Sequence, residues 1–260
     1  MPFEIVRIPV WVDNYAWLLL ASDGTAAVVD SPEAPPILEE LQRRGRRLTH
    51  IFNTHHHFDH IGSNAALSAA FPGLQIFGSP YDAEHGRIPG LTRVVSDGET
   101  FVWGGERCTV REVPGHTLGH IVYLFESGAA FVGDTLFVGG CGRLFEGTAR
   151  QLDAALNEVL AGLDPATRLY CAHEYTQANL RFARHVDPNN AALIAYAEEV
   201  DGKRAAGLPT VPSNLADELA INPFLRCDTS AVRSAVGAAD DEPRHSVLGS
   251  LRALKDGFRA

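Results

Sequence analysis

The sequence lacks a long apolar run, which excludes membrane-spanning helices from its expected structure. No apolar stretch approaches the roughly 18 residues that a helix needs to cross a bilayer. The apolar segment nearest the N-terminus, Tyr15–Ala21, is brief, lies between Asp13 and Asp23, and follows no basic segment. It therefore does not fit a signal peptide. We expect an intracellular protein without a membrane partner, located in the cytoplasm.

Cysteine is also scarce, and its spacing excludes two kinds of structure. The four cysteines are Cys108, Cys141, Cys171 and Cys227. None of them forms a Cys-x-x-Cys pair, so they build neither a disulfide framework nor a zinc knuckle. We predict buried free thiols.

Positive charge is in short supply. The chain has 22 Lys and Arg against 32 Asp and Glu, a formal net charge of -10 at pH 7. Such a chain repels phosphate groups unless a basic patch overcomes the repulsion. The densest basic cluster, Arg43–Arg47, ends a predicted helix, where cations are favourable in any case. We predict no nucleic-acid partner.

Against these shortages, one short stretch is dense in metal-binding side chains. After Thr54 the sequence reads His-His-His-Phe-Asp-His, four histidines and one carboxylate. Nitrogen and carboxylate ligands suit zinc and its first-row neighbours. The spacing offers His55 and His57 to one metal ion and Asp59 and His60 to another. A purification tag would be terminal and would not contain Asp and Phe, so we predict a site for two metal ions.

A predicted strand and a predicted helix flank these ligands. Residues 48–53 form a short apolar run, and residues 61–71 carry apolar side chains at helical spacing. In α/β sheets, ligands bind at such loops after the carboxyl ends of strands. His56 lies between two expected ligands, and we expect its side chain to turn away from the metal ions.

Strands dominate the first two thirds of the chain and helices the last third. We predict strands at 3–10, 16–21, 26–29, 48–53, 75–78, 100–103, 108–113, 121–125, 129–132 and 168–172, and helices at 35–44, 61–71, 149–163, 178–186, 191–206, 231–236 and 247–258. Two sets of strands interrupted by helices indicate an α/β fold with two sheets between helical layers. We place a domain boundary near His173, which gives domains 1–173 and 174–260.

Three further candidate ligands follow predicted strands: His116, Asp134 and His173. The carboxyl ends of strands meet at one edge of a sheet, so residues that are distant in sequence can converge there. Each of the three is weak evidence alone, because Gly-His or Gly-Asp at a turn is usually structural. Together with the first cluster they complete the ligand set that a binuclear centre requires.

Together these motifs resemble the metallo-β-lactamase superfamily, whose metal ligands are His-x-His-x-Asp-His followed by separate His, Asp and His. Within it the chain is similar to the glyoxalase II (hydroxyacylglutathione hydrolase) family, over nearly its whole length. The segments that carry this likeness are 54–60, 133–137, 140–143, 146–148, 173–176, 222–224 and 252–258. The resemblance implies an αββα metallo-β-lactamase-like sandwich with a C-terminal helical domain.

The resemblance also implies a ligand set and a reaction. One metal ion would take His55, His57 and His116, the other Asp59, His60 and His173, with Asp134 as the bridge. The reaction would be hydrolysis of glutathione thioesters, S-D-lactoylglutathione to D-lactate and glutathione. Asp59 and Asp134 are the expected catalytic residues. We expect two divalent ions per chain, zinc first and iron or manganese next, and a monomeric protein.

The same family resemblance assigns the residues that would bind glutathione. They are Arg143, Phe145, Tyr175, Arg252 and Lys255. Arg143 and Phe145 stand where the commonest animal pattern has lysine and tyrosine. Arginine keeps the positive charge, whereas phenylalanine lacks the hydroxyl group, so the strength of glutathione binding is left open.

Three other functions compete with this interpretation. Persulfide dioxygenases share much of the His and Asp pattern but hold a single iron ion, so metal stoichiometry distinguishes them. The helical tail with Asn222-Pro223-Phe224 and the pair Arg252 and Lys255 favours the hydrolase. The acidic net charge argues against superfamily ribonucleases, and the complete ligand set argues against a non-catalytic binding module.

Overall fold

The structure, a computed structural model, describes residues 2–259. The chain divides into two compact units. The first unit holds the chain up to Glu112 together with Gly119–Gly133. The second unit holds Val113–Leu118 and the chain from Asp134 onward. The domain boundary predicted near His173 stays a prediction.

In the first unit, six strands form a mixed sheet. In sheet order they are β1 (Phe3–Val10), β2 (Asn14–Ala21), β3 (Thr25–Val29), β4 (Arg47–Phe52), β5 (Gln75–Gly78) and β6 (Arg93–Val94). The first three strands run antiparallel, and β3 to β6 run parallel. The helices of this unit are α1 (Ala34–Arg44), α2 (Phe58–Ile61), α3 (Asn64–Ala70) and α4 (Pro80–Glu84).

Helix α1 covers one face of this sheet. Ile37 and Leu41 lie four residues apart on one helical face, are buried, and belong to the same apolar cluster as Leu18 and Val28 of the sheet. The helix begins with prolines in its first turn and ends at Gly45, whose φ of 61° favours glycine. The sequence therefore fixes both ends of α1 and the face that it buries.

The same unit contains a second, antiparallel set of strands. They are β7 (Thr100–Trp103), β8 (Glu106–Glu112), β9 (Ile121–Phe125) and β10 (Ala129–Gly133), each paired with the next. Aromatic rings join them to the first sheet: the ring of Phe52 lies 5.4 Å from that of Phe101 and 5.3 Å from that of Tyr123. The two sheets therefore pack face to face around an aromatic core.

The second unit is mostly helical. Its elements are β11 (Leu136–Phe137), β12 (Gly140–Cys141), α5 (Ala149–Ala154), a π-helical turn (Ala155–Leu160), β13 (Arg168–Cys171), α6 (Thr176–Val186), α7 (Ala191–Ala205), β14 (Ser213–Asn214), α8 (Leu215–Ile221), a 3₁₀ turn (Pro223–Leu225), α9 (Ser230–Val236) and α10 (Arg244–Gly257). Strands β11 and β12 pair with each other, as do β13 and β14. Apolar side chains of α6, α7 and α8 form a core of their own.

Most predicted strands and helices are confirmed, and the exceptions have physical reasons. The helix predicted at 61–71 was wrong at its start, because α2 begins at Phe58 and α3 follows only after Gly62. A Cβ atom at Gly62 would lie 2.7 Å from the carbonyl oxygen of Pro32, so only glycine fits this close approach. The sequence analysis also missed α4 and α8.

The structure bears on the predictions for the cysteines and for membrane-spanning helices. All four cysteines are free and buried, as predicted, and burial raises the pKa of each thiol. None of the helices within residues 2–259 is long and apolar enough to cross a membrane.

His50 lies in the aromatic core, and its burial leads us to expect that the stability of the fold depends on pH. Trp103 Nε1 donates a hydrogen bond of 3.1 Å to His50 Nδ1. Burial, and then the charge of Arg93, lower the pKa of His50 to about 4. An unfolded histidine titrates near 6.5, so between pH 6.5 and 4 the unfolded chain binds more protons than the folded chain. We expect the free energy of unfolding to fall as the pH falls through this window.

Urea unfolding of His50→Gln at pH 7 and at pH 4.5 measures this contribution. The variant should lose less of its free energy of unfolding between the two pH values than the wild type does. His85→Gln is the matched control, because His85 is exposed beside Tyr81. Equal losses in the wild type and in His50→Gln would show that His50 does not titrate in this way.

Candidate metal centre

In the first unit, Asp30 holds the loop that carries the first histidine cluster. The backbone N–H of Thr54 donates to Asp30 Oδ1 and the Thr54 hydroxyl donates to Oδ2, both at 2.8 Å. His60 Nδ1 lies 2.8 Å from Asp30 Oδ2. With the proton held at Nδ1 by the carboxylate, Nε2 of His60 is the nitrogen that can bind a metal ion. Sequence reasoning missed Asp30, although its position directly after β3 was a signal.

His55 and His57 turn their ring nitrogens toward each other. His55 Nε2 lies 3.0 Å from His57 Nδ1, and the hydroxyl of Thr54 lies 3.1 Å from His55 Nδ1. Two ligands of a tetrahedral zinc ion are about 3.3 Å apart, given bonds of about 2.0–2.1 Å. The spacing of these two nitrogens fits a shared metal ion.

Asp59 and His60 form a second pair in the same unit. Asp59 Oδ2 lies 3.7 Å from His60 Nε2, too far for a hydrogen bond but suitable for two ligands of one ion. Asn14 Nδ2 donates to Asp59 Oδ2 at 3.2 Å. The first residue of β2 therefore orients the Asp59 carboxylate.

His56 has different surroundings from its neighbours. Its Nδ1 atom lies 3.1 Å from Oδ1 of Asp82, a carboxylate that is fully buried at the start of α4. A Cβ atom at Gly119 would lie 2.5 Å from the same Asp82 oxygen. His56 thus faces Asp82 of α4.

In the second unit, Asp134 lies between two histidines. Its Oδ1 atom is 3.4 Å from His173 Nε2, and its Oδ2 atom is 3.6 Å from His116 Nε2. All three side chains are buried. The two distances exceed those of good hydrogen bonds and match the separation of ligands on a metal ion. Each carboxylate oxygen faces a different histidine.

The chain around Asp134 is shaped by hydrogen bonding and by a close approach. The carbonyl oxygen of Arg143 lies 2.9 Å from His116 Nδ1, which directs Nε2 of that ring to Asp134. A Cβ atom at Gly142 would lie 2.1 Å from the carbonyl oxygen of Asp134. Only glycine allows the chain to pass this close, so the Gly-Cys-Gly-Arg turn has a steric reason.

Two of the expected substrate-binding residues border these histidines. The ring of Tyr175 stacks on His173 with centroids 4.6 Å apart. The ring of Phe145 meets His116 edge-on at 5.2 Å and is 61% exposed. Both aromatic side chains reach the surface beside a candidate ligand.

The expected cations of α10 differ in their surroundings. Arg252 is only 5% exposed; its guanidinium donates to the carbonyl oxygen of Cys141 at 2.9 Å and to Asp256 at 3.0 Å. Lys255 is half-buried, and its Nζ donates to the carbonyl oxygen of Ala178 at 3.2 Å. Burial and then the neighbouring guanidinium of Arg252 lower the pKa of Lys255 to about 8. Arg143 Nε lies 3.5 Å from the Asp256 carboxylate.

Histidine nitrogens and carboxylate oxygens at these spacings fit the binding of divalent metal ions. In the first unit, the Asp30 carboxylate binds His60 Nδ1 and Asn14 donates to Asp59, and in the second unit the carbonyl oxygen of Arg143 binds His116 Nδ1. Such supporting bonds are typical of metal sites.

Comparisons with known proteins match nearly the whole length of the chain. The profile of the Metallo-beta-lactamase superfamily matches residues 10–173, and that of the Hydroxyacylglutathione hydrolase C-terminus matches residues 174–258. The hydroxyacylglutathione hydrolase of a Synechococcus strain is 49% identical over 98% of this chain and 100% of its own length. That of Gloeobacter violaceus is 50% identical over 97% of this chain and 98% of its own.

A solved structure shows the fold independently of close sequence identity. ETHE1 from Myxococcus xanthus aligns with a TM-score of 0.67 and 23% identity, over 98% of each chain. The α/β class that the sequence predicted, an αββα sandwich followed by a helical C-terminal region, is confirmed.

Proposed function

This chain belongs to the hydroxyacylglutathione hydrolase family of the metallo-β-lactamase superfamily, and from that membership we propose that it hydrolyses S-D-lactoylglutathione to D-lactate and glutathione at a binuclear metal centre. It is accordingly a thioester hydrolase. The observation that carries the proposal is Asp134, whose two oxygens face the Nε2 atoms of different histidines. A carboxylate placed between two histidines in this way could serve two metal ions.

The proposed ligand set follows the pattern of the family. His55, His57 and His116 would hold one ion, Asp59, His60 and His173 the other, and Asp134 would contribute to both. Zinc suits these nitrogen and oxygen donors best, and iron or manganese would also bind. We assign the catalytic domain to residues 1–173 and a helical substrate-binding domain to residues 174–260, in keeping with the extents of the two family profiles.

The residues of the chain have separate tasks in this reaction. When bound, two such ions lower the pKa of a coordinated water to about 7 and polarise the thioester carbonyl. Asp59, fixed by Asn14, would orient the attacking oxygen. Asp30 keeps a proton at Nδ1 of His60 so that Nε2 remains a ligand. The leaving thiolate has an ordinary pKa of about 8.5, so it departs without a dedicated general acid.

The proposed glutathione site lies in the second unit. Phe145 and Tyr175 would supply apolar walls beside His116 and His173. Arg143 and Lys255 would meet the carboxylates of glutathione, because cations at a pocket mouth form charge-assisted hydrogen bonds with them. Family resemblance assigns Arg252 to the same site. Its guanidinium lies beside Cys141 and donates to the carbonyl oxygen of that residue. A monomeric state and a cytoplasmic location stay predictions from the sequence.

Metal analysis together with hydrolysis of S-D-lactoylglutathione, followed at the thioester absorbance, tests this function. We expect two metal ions per chain and turnover that chelators abolish. A single iron ion per chain, with no thioester hydrolysis, would contradict the proposal and favour persulfide oxidation instead.

Lys255 predicts an effect on substrate binding with little effect on turnover. Lys255→Met keeps the aliphatic stem over the ring of Phe182 and removes the charge. A charge-assisted hydrogen bond contributes about 1.5–3 kcal/mol, so KM for lactoylglutathione should rise about tenfold or more. Because the cation is remote from the scissile bond, kcat should change little.

Two controls accompany this measurement. Lys203→Met removes an exposed lysine that pairs with Glu199, and it should leave KM unchanged. A small thioester without glutathione should be hydrolysed equally by Lys255→Met and the wild type. KM for lactoylglutathione in the wild type should also rise between pH 7 and pH 9, since the pKa of Lys255 is about 8. A drop in kcat with constant KM would show that Lys255 supports the fold instead.

A further inference from the structure

The short β11–β12 hairpin leads from Asp134 to Arg143 and has little hydrogen bonding of its own. Only two residue pairs join its strands, Leu136 with Cys141 and Phe137 with Gly140. A two-stranded hairpin of this size is marginal in water. Other parts of the chain must therefore hold it in place.

Side chains from three C-terminal helices bind the backbone of this hairpin. Asn179 of α6 donates to the carbonyl oxygen of Val138 at 3.1 Å. Glu218 of α8 accepts from the backbone N–H of Gly139 at 2.9 Å. Arg252 of α10 donates to the carbonyl oxygen of Cys141. The helices thus supply hydrogen bonds that the hairpin lacks.

Glu218 and Asn222 form the centre of this network. Both side chains are 0% exposed. Asn222 Nδ2 lies 2.9 Å from Glu218 Oε2, and it also lies within 3.2 Å of the carbonyl oxygen of Phe137 and 3.0 Å of that of Gly140. One carboxyl group and one amide therefore bind three backbone groups of the hairpin. This gives Asn222 of the Asn-Pro-Phe motif a physical role.

The hairpin cannot shift without breaking these bonds. Gly139 has a φ of 66°, and a Cβ atom there would lie 2.8 Å from Leu180 of α6. A Cβ atom at Gly140 would lie 2.6 Å from the side-chain amide of Asn179. The backbone is packed directly against α6, so the buried bonds and the steric fit define one position for it.

We propose that Glu218 is a positioning residue of the hydrolase, which through Gly139 and Asn222 sets the place of the hairpin and with it the Asp134 carboxylate. This rests on the proposed function only for its effect on turnover. Its effect on the hairpin itself and on metal retention is independent of the substrate.

The replacement of Glu218 by glutamine distinguishes hydrogen bonding from charge. Burial raises the pKa of the Glu218 carboxyl to about 7, against the lowering effect of the bonds from Asn222 and Gly139. The Glu218 carboxyl group is therefore only partly ionised near pH 7. Glutamine keeps an oxygen that accepts from Gly139, whereas leucine keeps the volume and accepts nothing.

The experiment compares Glu218→Leu and Glu218→Gln in the metal-loaded enzyme. A displacement of about 1 Å at a catalytic group costs about 100-fold in rate. We expect Glu218→Leu to lower kcat at least about tenfold with KM within about threefold of wild type, and Glu218→Gln to restore most of kcat. Hydrogen exchange of residues 134–143 and the rate of metal loss to a chelator should both increase in Glu218→Leu and return toward wild type in Glu218→Gln.

Glu106→Leu is the matched control. Glu106, the first residue of β8 in the first unit, is also a buried glutamate, and it accepts from the backbone N–H of Ser127 in the turn between β9 and β10. Its loss should lower the melting temperature and leave kcat, metal loss and exchange of 134–143 unchanged. Asn222→Ala should act like Glu218→Leu, so the test also stands if the leucine variant does not fold.

The outcomes separate this inference from the proposed function. The positioning role is overturned if the folded variants among Glu218→Leu and Asn222→Ala show only a lower melting temperature, as Glu106→Leu does. It is also overturned if neither of these variants folds and Glu218→Gln loses metal quickly. If the wild type hydrolyses no lactoylglutathione while the exchange and metal-loss results appear as expected, the substrate assignment fails and the positioning role stands.

Discussion

Replacement of Asp134 by alanine should remove bound metal from both sites and lower kcat/KM for S-D-lactoylglutathione at least about 100-fold. Loss of a residue that only supports a metal ligand already costs about 10–100-fold, and Asp134 is proposed to contact both ions directly. Its two oxygens face His173 and His116 at 3.4 and 3.6 Å. Without the carboxylate, buried nitrogen ligands would be left without the charge that draws two cations together.

Elemental analysis of the purified variant and steady-state kinetics measure this effect together. Asp187→Ala is the matched control, because Asp187 is a buried aspartate of the same unit that pairs with Arg226 and not with a histidine. The control should keep wild-type metal content and turnover. If Asp134→Ala retained two tightly bound ions per chain and normal turnover, the bridging role would be wrong.

The second large effect is expected at His57, by comparison with its neighbour His56. His57→Gln should lose about one metal ion per chain and at least about 100-fold in turnover, because it removes a direct ligand. His56→Gln should keep both ions, because glutamine can still donate to the buried Asp82 carboxylate. The same substitution at adjacent positions thus compares a proposed ligand with a structural histidine.

Metal content and thermal unfolding should be measured on both variants. His56→Gln is expected to leave turnover within about threefold of wild type, because the amide can still face Asp82 and no proposed metal ligand is lost. Loss of a metal ion from His56→Gln but not from His57→Gln would show that the ligands of the motif are shifted by one residue, and the whole assignment would then have to be changed.

The sequence by itself determined the elements and the chemistry that depend on local pattern. Strands such as β4 and helices such as α1 were predicted because apolar spacing, prolines and a terminal glycine act on neighbouring residues. The His-x-His-x-Asp-His spacing predicted the candidate ligands for the same reason. The early start of α2 and helix α4 were missed, because 4 and 5 residues are too few to show a helical period, and α8 was missed as well.

The tertiary structure alone decided which side chains support the site. Asp30 binds Thr54 and His60 from 24 and 30 residues away, and Glu218 binds Gly139 from 79 residues away. No local pattern encodes such contacts, since they depend on how strands and helices pack. The spacing of Arg252 and Lys255 on one helix likewise could not show that Arg252 would be buried against Cys141. Burial is a property of packing between elements, and this is why the candidate ligands could be read from the sequence and their supports could not.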